Sequence, residues 1–424
     1  MTTTAADQHR SVGAVDEGGQ RSRTGWFAGV RESARHLLDR PLTSYYLLLG
    51  SSALLLTIGL MEVMSASSVY SFKAYGNSYH VFQRQLTWVL MALPIAFVAT
   101  RVPHRLLRWL AWPALIVSTV LIYLTSTSLG FAVNGNRNWL ALGPLTVQPS
   151  ELAKLAIILW CADLYARKDK LLDNWVHTLV PMVPVTGMVT GLVVMQGDLG
   201  TALVLMAIIL GMLWVVGAPA RLFVGSLVTV GVLALYLATT SAERLQRLTN
   251  FADPFKDYQG AGWQPAHGLF AMSTGGLLGK GIGASQQKWG SLPEAHTDFI
   301  FAVLGEELGL VGTLLVIGLF LTIAYAAIRV ASRTRDPFVR YLTFGVVVWL
   351  LGQMIINVGM VLALLPVIGI PLPLVSYGGS ALVPSLVALG LLIGFARREP
   401  EAARALAQRR KARSAGLAAG RLPE

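Results

Sequence analysis

The sequence predicts an all-α, polytopic integral membrane protein with about ten transmembrane helices. The 424 residues are 54% hydrophobic and only 13% charged, which is roughly half the charged fraction of an average soluble domain. Apolar runs recur along the whole chain, and several approach the ~20 residues that a helix needs to cross a bilayer. The basic residues cluster at the ends of alternate runs, as expected of a chain that crosses a membrane many times.

The apolar runs give the positions of the ten spans. With a cytoplasmic N-terminus, 25 of the 34 Lys and Arg residues lie on the cytoplasmic side, in agreement with the positive-inside rule. Both termini are then cytoplasmic, and the net charge of +12 reflects topology instead of nucleic-acid binding. The single Cys161 excludes an intramolecular disulfide. The runs fall near 45–66, 85–100, 107–124, 151–165, 178–195, 200–216, 220–239, 299–328, 341–365 and 375–396.

Three regions are predicted along the chain. Residues 1–44 form a disordered basic cytoplasmic tail with no signal-peptide pattern, and 397–424 form a second basic cytoplasmic tail. Residues 45–396 form the transmembrane domain. Within it, a large extracellular loop (240–298) joins helices 7 and 8, and it carries too many aromatic residues for disorder. We expect this loop to fold back onto the membrane surface.

The segment Leu292–Gly309, LPEAHTDFIFAVLGEELG, concentrates carboxylates at the start of an apolar run. Ionisable groups at membrane depth are functional candidates by default. Asp298 allows two interpretations: an N-cap for the eighth helix, or a catalytic carboxylate at the water–lipid boundary. Glu306 and Glu307, two turns further along, are expected either to serve function or to pair with a neighbouring helix.

Three other polar groups carry similar alternatives. Glu151 and Lys154 open the fourth helix, either as a local ion pair or as a charged lining for an anionic ligand. Asp198 either caps the sixth helix or presents a ligand group at a break between spans. The glycines of the segment 376–380, SYGGS, either permit close packing or expose backbone N–H groups to an anion.

Four of these motifs, in the same order, resemble the SEDS family of bacterial cell-wall glycosyltransferases. They are GNRNWLALGPLTVQPSELAKLA, QGDLGT, LPEAHTDFIFAVLGEELG and PLVSYGGS, and the resemblance covers about residues 45–396. Within the family, EAHTDFIF followed by GEELG is more similar to the division branch than to the elongation branch.

The resemblance implies polymerisation of lipid II into peptidoglycan at the outer face of the cytoplasmic membrane, during septal wall synthesis. Asp298 matches the family's essential loop aspartate, which implies an inverting transfer with this carboxylate as general base. It also implies a class B penicillin-binding protein and other division proteins as partners, and no nucleic acid. The predicted substrate-binding residues are Glu151, Lys154, Asp198, Arg137, Arg247, Lys288, His296, Ser376 and Ser380.

The leaving diphosphate of such a reaction needs positive charge. No dedicated metal-site spacing occurs, so no protein-held metal is predicted, and a divalent cation such as Mg²⁺ or Mn²⁺ would be shared with the phosphates. A lipid II flippase, a non-catalytic scaffold and an elongation-type polymerase remain alternatives. The cationic candidates are Lys154, Arg137, Arg244, Arg247, Lys280 and Lys288.

A membrane-spanning partner would need a surface where helices approach closely. Small residues on the eighth and ninth spans offer such a surface. They are Gly309, Gly312, Gly318, Gly345 and Gly352.

Overall fold

The computed structural model describes residues 40–133, 135–143, 145–240, 242–251 and 253–408. Most of both predicted tails lies outside the described residues. The first half contains α1 (Thr43–Tyr75), α2 (His80–Ala99), α3 (His104–Thr125), β1 (Gly130–Val133), β2 (Asn136–Leu142), β3 (Leu145–Val147), α4 (Pro149–Lys168), α5 (Trp175–Leu179), α6 (Met182–Met195) and α7 (Leu199–Val215). The second half contains α8 (Ala220–Thr239), α9 (Ala242–Asn250), α10 (Trp263–Thr274), α11 (Ile300–Arg333), α12 (Pro337–Val361) and α13 (Gly379–Arg398), and 3₁₀ turns form at Asp169–Leu171 and Gln287–Trp289.

The predicted all-α membrane fold is confirmed. Within the described residues, eight helices are long and apolar enough to span a membrane, with Trp175–Met195 counted as one. Helices also occupy the other two predicted positions. One of these, α4, carries several charged side chains, and the other, α7, is a shorter apolar helix. The sequence therefore located all ten spans to within a few residues, except that α1 continues to Tyr75.

The bundle is built around α12 and α13. Helix α12 packs against α4, α7 and α11, whereas α13 packs against α1, α2 and α4. The most apolar stretch of α13 is 83% buried, whereas that of α8 is 0% buried, so α8 lies at the periphery. The predicted long loop contains α9, α10 and the 3₁₀ turn at Gln287–Trp289. It is folded, as its aromatic content indicated.

A small antiparallel sheet in the order β1-β2-β3, which was not predicted from the sequence, lies between the third and fourth spans. Phe131 pairs with Trp139, and Ala141 pairs with Thr146. The strands have three to seven residues, which is too short to produce a clear alternating pattern in the sequence.

Helix α11 is broken at Gly309, whose φ of +66° is not helical. The break frees backbone groups, and the segment 275–281 of the long loop takes them up. The N–H groups of Lys280 and Gly281 donate to the carbonyl oxygens of Glu306 and Glu307 at 3.0 Å, and the Leu310 N–H donates to the Gly276 carbonyl. These hydrogen bonds fix part of the long loop to α11 at the break in the helix.

The glycines proposed for partner binding divide into two groups. A Cβ at Gly345 would lie 2.6 Å from an Ile158 side-chain carbon, so this glycine serves packing inside the chain. Gly312 is buried as well. Both are therefore unsuitable as partner contacts, because their sides of the helices are already occupied. Around Gly318 and Gly352 there is open space.

Candidate active site

Asp298 lies in a tight turn directly before α11. The backbone N–H groups of Thr297 and Phe299 both donate to the carbonyl oxygen of Glu294, which has a positive φ of 54°. The helix begins at Ile300, its N-cap is Phe299, and no side chain caps it. The capping interpretation of Asp298 is therefore wrong. Its carboxylate is not needed to start the helix.

The carboxyl group of Asp298 is buried, with 6% of the residue exposed. Burial raises its pKa from the usual range to about 7, and the negative charge of Glu294 adds to the rise. Hydrogen bonds from the backbone and from the Thr297 hydroxyl oppose it, as does the positive charge of Arg247. A general base works best when its pKa is close to the working pH, and Asp298 meets that condition.

One wall of the Asp298 site is the segment 366–373, between α12 and α13. Asn357 of α12 donates from Nδ2 to the carbonyl oxygens of Asp298 and Ile370, both at 2.7 Å. A Cβ at Gly369 would lie 3.9 Å from Asp298 Oδ2 and within 4 Å of nothing else, so space is open beside the carboxylate. Arg247 Nη1 lies 3.5 Å from the carbonyl oxygen of Val367 on the same segment.

His296 stands two residues before Asp298 in a cluster of aromatic rings. Its imidazole stacks on Tyr70 with a centroid distance of 4.9 Å and lies 5.6 Å from the ring of Tyr377. Its carbonyl oxygen accepts from the Tyr377 N–H at 2.9 Å. Burial lowers the pKa of the imidazole. His296 therefore joins the Asp298 turn to both α1 and the 376–380 segment.

Glu151 and Lys154 form a buried ion pair instead of lining an open cavity. Lys154 Nζ lies 2.7 Å from Glu151 Oε2 and 3.2 Å from Gln353 Oε1, and only 1% of Lys154 is exposed. The predicted direct contact of this pair with an anionic ligand is not available in this arrangement, because the ammonium group already faces protein acceptors.

Asp198 is the cap of α7 and also joins two other segments. Its carboxylate accepts from the N–H and hydroxyl of Thr201 at 2.9 Å, from Asn138 Nδ2 at 2.9 Å and from Gln148 Nε2 at 2.7 Å. The capping alternative is confirmed. Arg137 donates to the carbonyl oxygens of Gly130 and Thr127, and its side chain is exposed, so its contact with substrate stays a prediction.

The 376–380 segment is held by hydrogen bonds and close packing. The Ser376 hydroxyl accepts from the Leu372 N–H at 2.8 Å, and the Gly378 N–H donates to Gln85 Oε1. A Cβ at Gly379 would lie 2.0 Å from the Trp88 ring, so the glycine permits close packing of α13 on α2. Ser380 is buried. Packing accounts for Gly379, and anion binding by this segment stays a prediction.

Glu306 and Glu307 anchor the long loop. Glu306 Oε1 accepts from Lys280 Nζ at 2.9 Å, and its Oε2 accepts from the Ser285 hydroxyl at 2.7 Å. Glu307 Oε1 accepts from Lys288 Nζ at 3.2 Å. Lys280 and Lys288 therefore stabilise the loop, and the predicted contact of Lys288 with substrate is replaced by this buried pairing.

The structure thus brings Asp298, His296 and Arg247 to one place. It uses Lys154, Asp198, Arg137 and Lys288 to hold the surrounding framework. The side chain of Arg244 lies outside the described residues. Sequence reasoning missed Asn357 and Gly369, although an asparagine in the middle of an apolar span was a signal that could have identified the first of them.

In the described part of the chain, no group of three or more His, Cys, Asp or Glu side chains comes close enough together to hold a metal ion. A divalent cation that accompanies the substrate phosphates stays a prediction.

A family model described as a cell cycle protein family, FtsW/RodA/SpoVE, matches residues 45–400. The chain belongs to this family. The result confirms the SEDS resemblance of the four motifs, and the matched residues include all of the candidate site described above.

Members of the FtsW/RodA/SpoVE family with similar sequences carry division-type names. A protein of Mycobacterium tuberculosis named probable peptidoglycan glycosyltransferase FtsW is 40% identical over 370 residues, which are 87% of this chain and 71% of the relative. A protein of the same name from Coxiella burnetii is 37% identical over 81% of this chain and 93% of its own length. These names agree with the predicted division branch.

Solved structures show the same fold. One chain comes from a study of polymerisation and crosslinking by a peptidoglycan synthase complex. It matches with a TM-score of 0.67 and 28% sequence identity, and the match covers 83% of this chain and 97% of that chain. The rod shape determining protein RodA of Thermus thermophilus has a TM-score of 0.60 and 28% identity, with 84% and 97% covered.

Proposed function

We propose that this protein is a peptidoglycan glycosyltransferase that polymerises lipid II during septal wall synthesis, with Asp298 as general base. The observation that carries the proposal is the state of the Asp298 carboxyl. It is buried directly before the start of a membrane helix, it does not cap that helix, and its pKa is about 7. Family membership and the names of the relatives support the same activity.

In this mechanism a sugar hydroxyl of lipid II attacks the anomeric carbon of the growing glycan, which is linked through an α bond to a lipid diphosphate. The product bond is β, so one inversion is enough and no covalent intermediate is needed. Asp298 accepts the hydroxyl proton, a step that contributes on the order of 10²–10⁴-fold in rate. The open space beside Gly369 gives the hydroxyl access to Oδ2.

Arg247 is the cation best placed to stabilise the leaving diphosphate. Its charge acts on Asp298, and its guanidinium contacts the Val367 carbonyl on the wall of the site. A positive group aimed at developing charge is a large contribution to catalysis in a site of low dielectric.

We also infer that the site faces the extracellular side and that both termini are cytoplasmic. The distribution of Lys and Arg supports this orientation. A class B penicillin-binding protein would place its single span on the outer face of α11 or α12, near Gly318 or Gly352. The fold shared with a chain of a peptidoglycan synthase complex supports such a partner.

The direct test is a polymerisation assay with purified protein and labelled lipid II in detergent, read as glycan polymer on a gel. Polymer formed by the wild type, and no polymer formed by Asp298→Asn, is the expected result. A flippase would move lipid II across vesicles without making polymer. A scaffold would do neither, and either outcome would replace the proposal.

Replacement of Gly318 and Gly352 by leucine tests the partner surface. Co-purification of the transpeptidase should fall while polymerisation by the separated protein is retained. Unchanged recovery of the partner with both substitutions would place the interface elsewhere.

A further inference from the structure

Two amide side chains on α12 hold the wall of the Asp298 site in place. Gln353 and Asn357 lie four residues apart and therefore share one face of the helix. Gln353 Nε2 donates to the carbonyl oxygen of Pro371 at 2.8 Å. Asn357 Nδ2 donates to the carbonyl oxygens of Ile370 and Asp298. Both amides are buried, with at most 3% of either residue exposed.

We propose that Gln353 and Asn357 are positioning residues that fix the Asp298 carboxyl relative to the 366–373 wall, and that the Glu151–Lys154 pair supports them instead of binding substrate. This inference rests on the proposed function. It assigns Glu151 and Lys154 a role that differs from the substrate contact that their sequence position predicted.

The contacts of Asn357 explain why an amide is needed there. One nitrogen with two hydrogens bridges two carbonyl oxygens from segments far apart in the chain. Asp298 and Ile370 are both buried, so solvent is a poor replacement for that donor. Removal of the donor from a buried acceptor costs about 1–3 kcal/mol for each group left unsatisfied. The bridge therefore links the Asp298 backbone directly to Ile370.

The contacts of Gln353 explain the buried ion pair. Lys154 Nζ at 3.2 Å and Trp349 Nε1 at 2.8 Å both donate to Gln353 Oε1. Two donors on the oxygen fix the orientation of the amide, so that Nε2 must point to Pro371. A lone ammonium would be expensive to bury here, and Glu151 neutralises it. Glu151 therefore holds Lys154, Lys154 holds Gln353, and Gln353 holds the 366–373 wall.

The test uses Asn357→Leu, which keeps the approximate size of the side chain and removes both donors. The matched control is Thr343→Val on the same helix, where the buried hydroxyl has no hydrogen-bond partner within the described residues. Each purified variant is checked for folding by size exclusion and thermal unfolding. Polymerisation of labelled lipid II is then measured from pH 5 to 9.

We expect roughly 10²-fold lower kcat for Asn357→Leu with little change in KM for lipid II, because a displacement of about 1 Å has that effect on a reacting group. The pH at which the rate falls should also be lower than in the wild type, because water that reaches the released Asp298 carboxyl lowers its pKa. The charged groups that face Asp298 are Glu294, from its own turn, and Arg247, from α9, and both remain in the variant. Thr343→Val should match the wild type.

A purely structural role would reduce the amount of active protein without moving the pH profile. An unmoved profile for Asn357→Leu, or a wild-type rate, overturns the proposal. Gln353→Leu is measured in the same way and gives the test independently if Asn357→Leu does not fold. Polymerisation by Asp298→Asn would instead refute the proposed function itself, so the two failures are distinguishable.

The support role of the ion pair is tested by removing both charges together, in Glu151→Gln/Lys154→Met. A substrate-binding pair would raise KM, and its effect would add to that of Gln353→Leu. A supporting pair should lower kcat, and adding Gln353→Leu should change little further, because residues that act through one contact are not additive. Additive effects with a raised KM would overturn this assignment.

Discussion

Asp298 is kept in an environment that opposes its own ionisation. Its pKa rises from 3.8 to about 7 mainly because the carboxyl is buried. The raised pKa means that the folded protein prefers the protonated acid. The contribution of this carboxyl to the free energy of unfolding is therefore most favourable below pH 4 and decreases progressively as the pH increases to 7. The buried carboxyl of Asp298 therefore lowers the stability of the fold at neutral pH relative to acidic pH.

This linkage predicts a stability gain in Asp298→Asn. At pH 8 the wild type carries a buried charge that the variant lacks, a difference of up to about 4 kcal/mol for three pKa units. We expect the variant to unfold at a higher temperature than the wild type at pH 8 and at a similar temperature at pH 4. Thermal unfolding in detergent at both pH values checks this. A variant that is less stable at pH 8 would show that the carboxylate is stabilised by its neighbours.

The junction between the long loop and α11 determines the position of the Asp298 site. At the break at Gly309, backbone groups of the loop form hydrogen bonds with backbone groups of the helix. Glu306 and Glu307 add buried ion pairs with Lys280 and Lys288. Asp298 lies eight residues before Glu306, in the turn that leads into this helix. The GEELG motif therefore acts by anchoring the loop.

Gly309→Ala should disturb this junction. Gly309 has a left-handed φ, and a Cβ there would lie 2.3 Å from the Gly279 nitrogen, which is backbone and cannot move aside easily. We expect a loss of stability of about 1–3 kcal/mol and faster hydrogen exchange in residues 275–290. Gly318→Ala on the same helix is the control, because it has open space and should be neutral. Equal effects of both would contradict the account.

The positions of the membrane helices could be predicted from the sequence. The ten spans followed from apolar runs, because burial in lipid demands about the same length of each helix. The partners of polar side chains did not follow. Lys288 pairs with Glu307 and Asn357 with Asp298, and such long-range pairs depend on packing that no local pattern encodes. Lys154 and Asp198 were noticed for their charge, but charge alone does not separate framework from substrate contact.

Synthesis of cell wall by the proposed site requires that the long loop of the molecule face the outside of the cell. The Cys161→Ala background removes the single cysteine, which is buried. In that background, Lys256→Cys on the exposed loop should react with a membrane-impermeant maleimide in intact spheroplasts. Arg335→Cys, between α11 and α12, should react only after lysis. The opposite pattern of labelling would reverse the topology and put the site on the wrong side for wall synthesis.

If Asp298 accepts a proton during polymerisation, the rate of polymer formation must depend on the ionisation of this carboxyl. The wild-type rate of polymer formation from labelled lipid II should fall as the pH decreases through about 7, because the base becomes protonated. Asp298→Asn should be folded and still bind lipid II, yet form no polymer at any pH. Polymer formation by Asp298→Asn at close to the wild-type rate would contradict the account.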